Sequence, residues 1–391
     1  MASNDLSKIR VDHIGSLVRP AKLKEVFARY DRGQATAGEL ANAQDEAIRE
    51  VIQRQEGHGF PIVTDGEFRR HSFQESFSEC VAGFDVPRNV ALYYEKRDLN
   101  LTPLERAEQN FDEAGPAIIT RRAALERLKL TRNLPLEEFR YARSVAKVPA
   151  KITILGPDRI AQRFKWETSR QVYKDLGDFV DHVVAIERQM IAELVKAGCK
   201  YVQIDAPGYT AYVDKLSRER MRSRGEDPEN NFQRSIKADN ALIDGFTRAT
   251  FGIHICRGNA RTIDPQTGKL VPQWHREGSY NAIAERLFGS IKHQRILLEY
   301  DSARAGGFEP LRFVPKGKVI VLGLITTKSS DLEPIDELKR RIDQAARFLP
   351  LDQLALSPQC GFGGIDSKVM SEDDMWRKFD RIVETAGQVW G

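Results

Sequence analysis

No apolar run in this 391-residue chain approaches the roughly 18 residues needed to cross a bilayer. The start, MASNDLSKIRVDH, lacks the uninterrupted apolar core of a secretory signal, so a cytoplasmic protein without a membrane role is expected. Cysteine is scarce. Cys80, Cys199, Cys256 and Cys360 stand far apart, which argues against a disulfide framework in a chain of this size and leaves reduced thiols as the default. Blocks of one charge sign are also missing: 60 Lys plus Arg against 56 Asp plus Glu give a formal +4, dispersed along the chain. Nothing here resembles the footprint of a nucleic-acid partner. What is present is a chain 41% hydrophobic and 30% charged, long enough for a substantial core.

The patterning alternates between strands and helices. Near the start IRVDHIGS reads as a strand ending at Gly15 and Ser16, and a helix follows from Thr36, whose spacing to Glu39 is that of a capping box. FPIVTDGEF gives a second strand ending at Gly66 and Glu67. From about 85 to 148 the rhythm breaks, and the stretch is too long for a plain connection, so it reads as an inserted subdomain, a lid or a partner surface. The alternation then resumes. A long helix is expected from about Ser169 to Ala197, with Phe179, Val183, Ile186, Met190 and Leu194 on one face. A second capping-box spacing joins Ser330 to Glu333 ahead of a helix reaching about Phe348. Strands are expected at about 9–14, 61–66, 150–155, 200–205, 250–256, 295–300, 318–325 and 353–357. Eight strands alternating with helices predict an α/β fold, a single (β/α)8 TIM barrel over 1–391 with an insertion after its second strand.

In such a barrel the chemistry sits at the carboxyl ends of the strands. Polar residues occupy those ends here: Ser16, Glu67, Asp205, Cys256, Glu299 and Cys360. Each alone reads as a turn or a cap, but six from six strands call for a shared cause. In HICRGN, strand alternation puts His254 and Cys256 on one face. An isolated H-x-C arises often by chance, yet His254, Cys256, Glu299 and Cys360 together supply one nitrogen, two sulfurs and one oxygen, a tetrahedral Zn2+ set. Cys80 and Cys199 read as packing residues, and His58, His71, His182, His275 and His293 as surface or capping residues.

The order of HIGS (13–16), TDGEFRR (64–70), VQIDAP (202–207), HIC (254–256), ILLE (296–299) and SPQCG (357–361) resembles the cobalamin-independent methionine synthases, in particular their zinc-bearing catalytic barrel and its short single-barrel relatives. The resemblance covers nearly the whole chain. It implies Zn2+ on His254, Cys256, Glu299 and Cys360, and it implies that Ile14, Gly15, Ser16, Glu67 and Asp205 hold the amino acid part of homocysteine, the two carboxylates meeting its ammonium. The family is related to epoxyalkane:coenzyme M transferase, which shares the H-x-C pair and the later cysteine but takes another thiol.

The implied reaction moves a methyl group to a thiol, making methionine from homocysteine, because zinc turns a thiol into a nucleophilic thiolate at neutral pH. The chain also departs from the long enzymes. It is too short for their second barrel. After KITIL stand Gly156 and Pro157 where a pterin-stacking tryptophan is expected, and Lys328 lies where a proton-donating histidine is expected. The methyl donor, folate or another, therefore stays open. Lys328 and His13 are the candidate catalytic residues: Lys328 protonates a leaving group or binds a donor's anion, and His13 sits under the site or is a core histidine. Arg257 and Arg19 are candidates to clamp an anionic group, and GFGG (361–364) is a turn beside the metal. The alternatives are another zinc-thiolate alkyltransferase or ether demethylase, and a zinc-binding barrel without activity. A homo-oligomer is compatible with all three.

Overall fold

Short, wholly apolar runs such as Val319–Ile325, buried at all seven positions, are what a parallel sheet covered on both faces requires. In the computed structural model they do form such a sheet. The structure describes residues 6–85, 122–223, 225–258, 276–363 and 369–391, with the backbone of 261–263 and 270–272. The strands in chain order are β1 (Val81–Phe84), β2 (Ala124–Leu130), β3 (Lys151–Leu155), β4 (Tyr201–Asp205), β5 (Thr250–Ile255), β6 (Arg261–Ile263), β7 (Leu270–Pro272), β8 (Arg295–Glu299), β9 (Val319–Ile325) and β10 (Leu354–Pro358). Six of them make one parallel sheet in the order β10-β9-β8-β5-β4-β3. β1 pairs with β2 and β6 with β7 as antiparallel hairpins.

The expected eight-stranded barrel is therefore not closed by strand ladders. The segments of the first two expected strands each make a single parallel bridge, Val11 to Leu356 of β10 and Val63 to Ala150 beside β3. They meet each other through Thr64 Oγ1, which donates to the Gly15 carbonyl at 2.6 Å, and through the Leu17 N–H on the Gly66 carbonyl at 3.2 Å. Both segments turn early. Gly15 has φ +145°, and Gly66 and Glu67 have φ +71° and +60°, values that end an extended ladder.

One sheet face carries Val202, Ile204, Ile253, Ile255, Ile296 and Leu298 into the main core under the helices. The helix Leu176–Lys196 buries Phe179, Val183, Ile186, Met190 and Leu194 as its spacing predicts, and the Asp175 side chain caps its first turn. Thr36 and Glu39 form a true capping box at Ala37–Gly57. Ser330 and Glu333 do not: the helix Ile335–Ala346 begins after Pro334, and Glu333 Oε1 instead accepts from the Thr326 N–H at 2.7 Å. Among the described residues no helix is long and apolar enough to cross a membrane.

The opposite face is mixed. Ile14, Leu297, Val319, Val321 and Ala355 make a small apolar plug. Beyond it Asp12, Lys151, Tyr201, Gln203 and Arg295 form a buried polar network around the Asp12 carboxylate. Of the stretch 85–148, residues 86–121 lie outside the described residues. The described remainder holds β2 and the helix Leu134–Val145, which buries Leu134, Leu136, Phe139 and Ala142 and joins the helical layer, Phe139 and Ala142 packing in the main core.

Candidate functional site

His254 is the penultimate residue of β5, and Cys256 follows the strand by one residue on the same face. Cys360 stands two residues beyond β10, where Gln359 turns the chain inward: its N–H donates to the Ile325 carbonyl at 2.8 Å and its Oε1 accepts from the Thr327 N–H at 2.6 Å. These turns bring one ring nitrogen of His254 and the sulfurs of Cys256 and Cys360 within 4.8 Å of one another. Both ring nitrogens of His254 are buried without a hydrogen-bond partner, an arrangement that costs free energy unless a ligand or ion takes one of them.

The electrostatics have the same sense. The Cys256 thiol is held well below its usual range, first because Cys360 donates to its sulfur, and burial only partly opposes this. The Cys360 thiol is pushed well up for the converse reason, as the donor to Cys256. Burial pulls the His254 imidazole down, but Cys256, Asp205 and Glu299 outweigh it and raise its pKa. A thiol held below its usual range, a second thiol beside it and an imidazole within 4.8 Å make a donor set whose nitrogen and two sulfurs fit Zn2+.

Glu299 does not belong to that group of three. It is fully buried, its Oε2 accepts from the Arg257 N–H at 2.7 Å, and its Oε1 is held by Arg304 and by Lys328 Nζ at 3.1 Å. Burial alone would raise its pKa, but these two cations hold it at about 2. Lys328 also lies 2.6 Å from Asp301 Oδ2, so this lysine sits at the rim of the centre as part of an ion cluster.

The two expected acceptor carboxylates are both buried on the same side. Glu67 Oε1 accepts from Thr153 Oγ1 at 2.7 Å and lies 3.5 Å from Arg70. Asp205 Oδ1 accepts from Gln203 Nε2 at 2.8 Å. Burial raises the Asp205 carboxyl to about 7; His254 opposes this and the Glu67 charge adds to it, which places the two carboxyls in one electrostatic neighbourhood. Glu67 keeps a positive φ although it is not glycine, a strained backbone of the kind held at ligand sites. Beside it the turn Ile14–Gly15–Ser16 has its carbonyls engaged by Gln203 Nε2, Thr64 Oγ1 and the Phe362 N–H, so its N–H groups are what it offers a ligand.

The remaining candidates lie elsewhere. The His13 ring packs on Phe60 and Phe379 with both nitrogens buried and unpartnered, and burial together with Lys151 pushes it down to about 3, so it is a neutral core histidine. The fully buried Arg257 guanidinium stacks 4.5 Å from the Tyr280 ring and donates to the Arg276 carbonyl. Arg19 donates to the Glu67 and Arg70 carbonyls beneath the site. Burial pushes the Cys80 thiol up to about 11 and that of Cys199 to about 12, as packing residues should be. His58 is the C-cap of the helix Ala37–Gly57, as a capping role requires, and stacks on Trp376, while His182 meets Tyr173. His71 faces Asp31 and Glu79. His293 is not a surface residue: it is fully buried, and burial pushes it down to about 3. His275 lies outside the described residues. Thr153, Arg70, Gln203, Lys151 and Arg304 join the site without having been candidates; the signals available were Gln203 sharing a strand face with Asp205 and Arg70 closing TDGEFRR.

No family model matches the chain. It is 31% identical over 387 residues to the uncharacterized protein YxjH of Bacillus subtilis, with 97% of this chain and 94% of YxjH covered. It is 30% identical over 386 residues to YxjG of the same organism. The methionine synthase of Saccharolobus solfataricus is 24% identical over 375 residues, covering 95% of this chain and 92% of that one. Among solved structures, a Listeria monocytogenes protein provisionally named a vitamin-B12-independent methionine synthase superposes with a TM-score of 0.73 at 24% identity, covering 99% of this chain and 100% of that one. A B12-independent methionine synthase from a Shewanella species, in complex with selenomethionine, gives 0.68 at 18% identity and covers 97% of both chains. The chain thus belongs to the family of Bacillus subtilis YxjH and YxjG, and it has the fold of the B12-independent methionine synthases.

Proposed function

We propose that this protein is a zinc-dependent, vitamin-B12-independent methyltransferase whose acceptor is an amino acid thiol, homocysteine, and whose product is methionine. The observation that carries the reading is the meeting of His254, Cys256 and Cys360 on the side of the sheet where Glu67 and Asp205 are buried. Relatives named methionine synthase that align along nearly the whole chain support it.

His254, Cys256 and Cys360 would hold Zn2+, with the Glu299 carboxylate beside them as a fourth candidate ligand once released from Lys328 and Arg304. Bound there, the ion supplies a Lewis acid that keeps an acceptor sulfur as thiolate at neutral pH. The chain's own residues orient that acceptor. Glu67 and Asp205 receive its ammonium by charge-assisted hydrogen bonds, and the N–H groups of Ile14, Gly15 and Ser16 face its carboxylate. Lys328, at the rim, meets the donor's leaving group or its anion. The donor is a folate-type or another methyl compound. We read the protein as cytoplasmic and as one barrel domain, with 85–148 as its insertion.

A methyl-transfer screen tests this. Zinc-loaded protein is offered homocysteine, coenzyme M and simple thiols against methyltetrahydrofolate and other methyl donors, with products followed by mass spectrometry. Methionine as the preferred product is expected. Methylation of a different thiol, with homocysteine left unchanged, would overturn the reading.

A further inference from the structure

Two buried hydrogen-bond relays run outward through the polar interior, and each ends on one of the acceptor carboxylates. In the first, Arg70 is clamped by Glu138 through Nε and Nη2 at 2.8 and 2.7 Å, and its Nη1 donates to Thr153 Oγ1 at 2.8 Å. Thr153 Oγ1 then donates to Glu67 Oε1 at 2.7 Å. A guanidinium can only donate, so the single hydroxyl hydrogen of Thr153 is committed to Glu67. In the second, Asp12 holds Lys151 Nζ at 2.7 Å, and Lys151 donates to Gln203 Oε1 at 2.9 Å. An ammonium also only donates, so the Gln203 amide is fixed with its Nε2 toward Asp205 Oδ1 at 2.8 Å and the Ile14 carbonyl at 2.7 Å. Reversing either relay would strand a buried cation against a donor, so the polarity is set by the fold.

The geometry leaves the second oxygen of each carboxylate for something else. Among the described residues no donor is bonded to Glu67 Oε2 or Asp205 Oδ2. The relays also grip the acceptor turn. A methyl group at Gly15 would fall 2.6 Å from Thr153 Cγ2 and 3.1 Å from Glu67 Oε1, so turn, threonine and carboxylate are packed as a unit. Gln203 holds the neighbouring Ile14 carbonyl.

We propose that Thr153 and Gln203 are positioning residues that each fix one oxygen of Glu67 and Asp205 and turn the other toward the ammonium of the acceptor. This rests on the acceptor reading above. Thr153 and Gln203 touch no substrate; they act through the carboxylates, and Arg70 and Lys151 set the direction in which they donate.

The test is calorimetric binding of two thiols to zinc-loaded protein: homocysteine, and 4-mercaptobutyrate, which has the same carbon chain without the amino group. Wild-type protein should favour homocysteine at least about tenfold. Thr153→Val and Gln203→Met should each weaken homocysteine about tenfold, the size of one charge-assisted hydrogen bond, and leave 4-mercaptobutyrate and zinc content unchanged. Thr153→Ser should restore the wild-type preference. Should Gln203→Met fail to fold, the two Thr153 variants decide alone. Wild-type protein without a preference ends the acceptor reading and this proposal with it. A preference that survives in the variants, or an equal loss for both thiols, overturns the positioning role and leaves the acceptor reading standing.

Discussion

The sulfurs of Cys256 and Cys360 come within 4.8 Å of each other although β8 and β9 separate their strands, β5 and β10, in the sheet. A flat sheet with strands about 4.8 Å apart would hold them well beyond contact, so curvature of the sheet and the inward turn at Gln359 bring them together. The pair holds the Cys256 thiol below its usual range, and a cation is the partner that such a buried sulfur and nitrogen set would favour.

The first prediction concerns metal content. Purified protein should carry about one zinc per chain, and Cys256→Ser or Cys360→Ser should lose most of it, because a neutral hydroxyl replaces a thiolate ligand. Elemental analysis checks this. Zinc retained by both variants would place the metal elsewhere.

Loading should also release protons. The raised Cys360 thiol and the raised His254 imidazole both hold protons in the metal-free protein, whereas Cys256 is already depressed. Zinc affinity should therefore rise with pH, and each ion loaded should release a measurable number of protons. Calorimetry in buffers of different ionisation enthalpy reads that number. Affinity independent of pH would contradict the charge arrangement described here.

Glu67→Gln and Asp205→Asn should each weaken homocysteine binding by about tenfold or more while zinc content stays at the wild-type level. Both side chains lie outside the group of three metal residues, so the separation of the two readouts matters. Unchanged affinity in both variants would mean that the acceptor carries no ammonium.

The loop after Cys360 is tied to the acceptor turn by contact with Ser16. A methyl group at Gly361 would fall 2.0 Å from Ser16 Oγ, and the Phe362 N–H donates to the Ser16 carbonyl at 2.8 Å. Gly361→Ala should destabilise by about 1–3 kcal/mol and weaken zinc binding by displacing Cys360. Adding Ser16→Ala, which removes the struck hydroxyl, should recover much of both. Denaturant unfolding and zinc titration measure them, and a double variant no better than the single would sever the proposed link.

Much of this organisation was legible in the sequence, and the reasons differ by element. The runs at 150–155, 200–205, 250–256, 295–300, 318–325 and 353–357 became β3, β4, β5, β8, β9 and β10, because a parallel strand buried on both faces is short and rich in Val, Ile and Leu, with polar residues only where the inner face carries the site. The segments around Val11 and Val63 also read as strands but each make one bridge, since Gly15 and Gly66 bend the chain in ways that the residue pattern does not record. Thr36 and Glu39 announced a cap, whereas the same spacing at Ser330 and Glu333 misled: Glu333 is occupied by Thr326 and Lys378, contacts that short-range spacing cannot show. His254, Cys256 and Cys360 were readable because strand ends converge. What holds Glu299 was not, because Arg304 lies within the next loop and Lys328 comes from the end of another strand. Thr153 sits in the apolar run KITIL, and only the approach of Arg70 and Glu67 from another segment reveals its role.

The most direct test is zinc K-edge X-ray absorption of the loaded protein with and without homocysteine. Two sulfur neighbours, from Cys256 and Cys360, are expected in the resting protein and a third when the acceptor is added. A sulfur count that does not change on adding homocysteine, with binding confirmed in the same sample, would contradict that expectation.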